Sequence, residues 1–170
     1  MRHKKNVMFH ALSKTIHCND GFAAAFCAWS KFGDSATYIP YYHGGSLPEL
    51  ESFKDKQVYF LDFAPDDVSV TDAINDIAET FVIQDHHKTS IELYKGKDYF
   101  LPSSTACSQA AWAMFHDGQL PVMLEHIADN DLWLHKNPNT KAFIQRLSAY
   151  PYRFKAWEYL LNRTESDQDY

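Results

Sequence analysis

Residues 80–84 are a short apolar, β-branched run that stops abruptly at Asp85-His86-His87. A run of that length and character predicts a strand buried on both faces of a parallel sheet, its carboxyl end handing polar side chains to a crevice. Residues 7–10, 37–42 and 58–63 read as further strands of the same sheet, with Pro40 placing the second of them at an edge. Between them lie an Ala-rich helix at residues 21–32, a short helix after Pro48, and a helix at 66–78 carrying Val68, Val70, Ile74 and Ile77. Alternation of this kind predicts an α/β fold: a mostly parallel sheet of about five strands with helices on both faces. Past about residue 100 the chain turns helical, at residues 103–115, 121–133, 140–149 and 153–162. The first of these opens on Ser-Ser-Thr, good N-capping chemistry. The polar, acidic tail 164–170 is expected to fray.

The 170 residues suit one domain, with residues 136–170 a helical C-terminal extension whose roles include a lid or a dimer surface. A hydrophobic content of 45% belongs to a folded protein, and a net charge of −6 argues against an extended nucleic-acid-binding surface. Three scattered cysteines, Cys18, Cys27 and Cys107, do not make a disulfide framework and point to reduced thiols in the cytoplasm. The longest apolar run, residues 22–29, is too short for a membrane span, and the broken run after the basic start is too short for a signal peptide.

Four segments carry chemistry. His10, Asp62 and Asp85 each close a predicted strand, and ligands of parallel sheets bind at that edge. Around Asp20-Gly21, an N-capping turn and a ligand role are both open, and Asp62 could equally cap the helix that follows it. Asp85-His86-His87-Lys88-Thr89 is sharper, because imidazole nitrogen and carboxylate oxygen are what a divalent ion takes. Asp129 and Asp131, beside Ile127, Leu132 and Trp133, are either a solvated face or carboxylates awaiting a partner.

Taken in order, these segments resemble the DHH phosphoesterase family, whose naming triplet stands here as Asp85-His86-His87. Cys18-x-Asp20-Gly21-Phe22, the strand-ending Asp62 and Asp129-x-Asp131-Leu132-Trp133 correspond to its other motifs, which look like those of a short-chain branch. The resemblance implies a Rossmann-like domain and a binuclear site, usually manganese, with Mg²⁺ or Co²⁺ as substitutes. It implies Asp62 bridging two ions, His86 binding one of them, Asp129 completing that ion's sphere, and Asp20 supplying a carboxylate. His87 would face the substrate phosphate with Lys88 as helper. Asp85 would be a direct ligand or, in the preferred role, the carboxylate that orients a histidine.

The departure lies in the first motif, where the family supplies a His and two Asp. Here Cys18 and Phe22 stand where a second Asp is expected, so one ion is held more weakly or by a water. The histidine is His10, favoured by its strand end, or His17, nearer Asp20 but inside the turn. The expected function is hydrolysis of a phosphodiester or related bond in a small nucleotide or short oligonucleotide by a metal-activated water. The alternatives are a nucleotide-binding regulatory module of the same fold and a purely structural domain. His43, His116, His126 and His135 read as loop, surface or core residues, and the aromatic cluster at residues 150–159 as helix packing.

Overall fold

The computed structural model describes residues 3–166. Lys5–His10 (β1), Ala36–Tyr41 (β2), Gln57–Leu61 (β3), Thr80–Asp85 (β4) and Phe100–Pro102 (β5) form one all-parallel sheet in the order β2-β1-β3-β4-β5. The α/β class, the parallel sheet of five strands and the helical C-terminal part are as the sequence predicts. β2 with Pro40 lies at the edge, where a missing N–H costs no ladder bond. β5, three residues long, carries too little pattern to be seen in the sequence.

Around the sheet pack α1 (Asn19–Phe32), α2 (Val68–Ile77), α3 (Lys88–Leu93), α4 (Cys107–Phe115), α5 (Val122–Asp131), α6 (Thr140–Leu147) and α7 (Phe154–Ser166). Successive strand residues point to opposite faces, and both faces are covered. Val7, Phe9 and Leu61 join a core with α1, α4, α5, α6 and α7, whereas Met8, Val58, Phe60 and Ile83 join Phe53, Ile74 and Tyr94 on the other side. The aromatic cluster belongs to the first core: Phe22 stacks on Phe154 at 5.0 Å and meets the fully buried Trp157 edge-on at 4.7 Å. Tyr159, at the end of that cluster, is exposed.

Two local predictions are corrected. α7 runs through Ser166 rather than ending near 162, and buried Thr164 donates its hydroxyl to Leu160 O and Leu161 O; residues 167–170 lie outside the described residues. Helix α4 starts at Cys107, not Ser103, because its first N–H groups bind the distant Asp20 carboxylate rather than the Ser-Ser-Thr hydroxyls. Among the described residues no helix is long and apolar enough to cross a membrane. All three cysteines are unpaired.

Candidate metal centre

β1 and β3 are neighbours, but from them the chain progresses in opposite directions across the sheet, to β2 on one side and to β4 and β5 on the other. A crevice opens at the carboxyl ends of strands where the order reverses. Register brings those ends level: Phe9 pairs with Leu61, and Leu61 with Gln84. His10, Asp62 and Asp85-His86-His87 therefore leave three adjacent strands at one place.

Asp62 is the hub. It is 2% exposed and holds the left-handed backbone, φ 66°. Its Oδ2 faces His10 Nδ1 at 3.3 Å and Cys18 Sγ at 3.6 Å, while Oδ1 faces His86 Nε2 at 3.3 Å and has no hydrogen-bond partner among the described residues. Three groups with metal-ligating atoms within 4.8 Å of one another thus share this carboxylate: His10, Cys18 and Asp62 on one side, Asp20, Asp62, His86 and Cys107 on the other, and Asp62, Asp85, His86 and His87 along the end of β4. Asp131 Oδ2 lies 3.5 Å from His86 Nε2 and is likewise buried without a hydrogen bond.

The intervening segment explains how His10 and Cys18 meet. Residues 12–16 make a small excursion, with exposed Leu12 and Ile16, and an antiparallel bridge from Ala11 to His17 closes it. Helix α1 then starts hard against β1: a Cβ on Gly21 would lie 2.4 Å from His10 O, so only glycine permits the approach. His17 points elsewhere, stacking on Tyr152 at 4.7 Å, so His10 is the histidine of the cluster.

Asp20, 1% exposed, serves two elements at once. Its oxygens accept from Cys107 N at 2.7 Å, from Ser108 N at 2.9 Å and from the Ser108 hydroxyl, capping α4 while facing the cluster. Burial, followed by repulsion from Asp62 and Asp131, pushes its pKa up to about 8 against the Ser108 hydrogen bonds. Burial also raises Asp131, with Asp62 adding repulsion. For Asp62 burial works upward, but the His10 hydrogen bond and the close His86 imidazole prevail and hold it at about 2. The facing Asp62 carboxylate in turn lifts His86 to about 9.

Asp85 is completely buried. Its Oδ1 accepts from His86 N at 2.8 Å, His87 N at 3.3 Å and His87 Nδ1 at 2.7 Å, fixing the His87 ring. That bond raises the His87 pKa. The ring lines a cleft of about 220 Å³ together with Tyr41, His43, Asp66, Thr89 and Ser90. Lys88 is exposed in the first turn of α3 and is not among the lining residues, so the structure does not bring it to the site. His43, read as a loop residue, stands on the rim 3.9 Å from Asp66.

Asp129 is not brought to the cluster either. Its carboxylate accepts from Lys136 N at 2.8 Å, Asn137 N at 3.3 Å and the Thr140 hydroxyl at 2.6 Å, organising the turn between α5 and α6. Asp131 takes the place expected of it. The sequence also did not place Cys18 and Cys107 beside the cluster, where their thiols lie within ligating reach. The signal for Cys18 was its N-cap position, where Ser, Thr, Asp or Asn is usual.

Buried carboxylate oxygens without a hydrogen bond among the described residues, on Asp62, Asp85 and Asp131, are costly unless a cation meets them. Nitrogen, oxygen and sulfur donors in this number suit a first-row divalent ion, so the residues fit the metal that the resemblance implies.

No known family profile matches the chain. It is 31% identical, over 179 aligned positions, to an uncharacterized protein of Acanthamoeba polyphaga mimivirus; the alignment takes in 95% of this chain and 41% of the viral protein, so the chain spans about two fifths of that relative's length. The crystal structure of an uncharacterized protein from Helicobacter pylori is similar in fold, with a TM-score of 0.57 over 78% of this chain and 45% of that one, at 10% identity.

Proposed function

We propose that this chain is a DHH-type, metal-dependent phosphoesterase acting on a small phosphorylated substrate, a nucleotide or short oligonucleotide, in the cytoplasm. The observation that carries the reading is Asp62, a buried carboxylate with one oxygen directed at each of two ligand groups. His10 and Asp62 would hold one divalent ion, and Asp20, Asp62, His86 and Asp131 the other. When bound, such ions lower the pKa of water and neutralise phosphoryl charge.

The remaining work falls to side chains. Asp85 accepts from Nδ1–H of His87 and favours the imidazolium, whose Nε2–H then donates to a phosphoryl oxygen as charge develops there. The cleft beside it is small, which suits a phosphoryl group and its immediate substituent rather than a long polymer. Tyr41, stacked on Phe63 at 4.5 Å, offers an apolar wall for a sugar or base.

The test is hydrolysis of bis(4-nitrophenyl) phosphate, pyrophosphate, cyclic dinucleotides and short oligonucleotides in saturating Mn²⁺. We expect turnover that is abolished in Asp62→Asn and reduced about 10²–10³-fold in His87→Gln, the usual loss of a transition-state donor. A folded, metal-loaded protein inert to every substrate would defeat the proposal. Tight nucleotide binding without turnover would indicate a regulatory module instead.

A further inference from the structure

We infer that Cys18 is itself a metal ligand, so that the half-site of His10, Cys18 and Asp62 selects a softer ion such as Co²⁺ or Zn²⁺ over Mn²⁺ or Mg²⁺. The inference rests on the two-ion reading above and assigns its halves different chemistry.

Cys18 occupies the N-cap of α1 but makes no side-chain cap. Its Sγ is directed instead to Asp62 Oδ2, which already has a better donor in His10 Nδ1. A thiol is a poor hydrogen-bond donor, and a serine would serve that purpose better. What sulfur does well is bind metal: thiolate prefers zinc, cobalt and iron, whereas carboxylate suits magnesium and manganese. His10, Cys18 and Asp62 present one nitrogen, one sulfur and one oxygen within 4.8 Å of one another. An independent sign of a cation at this centre is the Asp62 carboxylate, 2% exposed, whose Oδ1 faces His86 Nε2 without a hydrogen bond among the described residues. On binding, the Sγ–H bond breaks, the sulfur lone pair goes to the metal and the proton to water.

The opposite half-site differs. Asp20, Asp62, His86 and Asp131 offer carboxylates and an imidazole, the set expected for manganese. The thiol on this side, Cys107, lies within ligating reach of Asp20, Asp62 and His86 but is fully buried and donates to the Gln84 carbonyl at 3.6 Å. Replacing it separately tells which of the two thiols gives a metal signature.

The experiment loads metal-free full-length protein with Co²⁺ and records near-ultraviolet absorption, bound metal by elemental analysis and circular dichroism. We expect a thiolate-to-cobalt charge-transfer band that disappears in Cys18→Ser and persists in Cys107→Ser. Cobalt affinity should fall at least about tenfold in Cys18→Ser, a loss that even supporting residues of metal sites produce. Cys18→Asp should restore binding of two ions while shifting the preference toward Mn²⁺, which also guards against a serine variant that fails to fold. Two bound cobalt ions without the band, or a band lost only in Cys107→Ser, would overturn this inference and leave the two-ion reading standing. No cobalt uptake at all would overturn both.

Discussion

Two residues along an α-helix advance by about 200°, so Asp129 and Asp131 leave α5 in different directions. One carboxylate ties down the turn at Lys136, Asn137 and Thr140; the other meets His86. Asp131→Asn should weaken Mn²⁺ binding about 10–100-fold, the range seen for residues that tune a metal site, with the melting temperature little changed. Asp129→Asn should do the reverse, lowering the melting temperature while sparing metal affinity in the folded protein. Calorimetric titration beside thermal denaturation separates them, and an unchanged affinity in Asp131→Asn would remove it from the centre. The sequence could not choose between the two because the choice depends on the rotational phase of α5, which only packing fixes. The triplet was legible for the opposite reason. A buried strand that ends in Asp-His-His states its own direction, and Asp85, His86 and His87 need no distant contact to be placed at the sheet edge.

At the scale of elements, the site is set by how closely α1 approaches β1. Gly21 permits that approach, and a methyl group there collides with the His10 backbone. Gly21→Ala should cost roughly 1–3 kcal/mol, as overpacking does, and should also weaken metal binding by displacing His10 from Asp62. Denaturant unfolding and metal titration of the same preparation check both effects; a variant of native stability and native affinity would refute the account. The Asp-Gly turn was visible in the sequence, though its purpose was not. Helix α4 shows why: its cap comes from Asp20, 87 positions away, and no local pattern announces such a pairing. Short elements were lost for another reason, since β5 and α3 span too few residues to display a period.

For the molecule as a whole, the fold class was readable because four apolar strands and their intervening helices all state the same architecture. What the sequence left unsaid was how the C-terminal helices join the rest. Phe143, Leu147, Trp157 and Leu160 enter the core of α1, and buried His126 links to Thr140 at 3.0 Å while stacking on Phe143. Burial holds the His126 pKa below its ordinary 6.5, outweighing the facing Glu125 and Asp129 charges. The unfolded chain therefore takes up this proton first. The contribution to stability is complete above about pH 6.5 and is lost as pH falls below it. Unfolding free energy should drop more in the wild type than in His126→Gln between about pH 7.5 and pH 5.5; equal drops would show that the ring is not the titrating group. Asp62 carries a different kind of consequence. Its φ of 66° is a conformation that disfavours a side chain by roughly 1–2 kcal/mol and suits glycine. Folding alone would be served by glycine or asparagine at that position as well. Only aspartate adds the two carboxylate oxygens that face His10 and His86, so the identity of this one residue should sort descendants of the fold into those that still carry out chemistry and those that have kept only the shape.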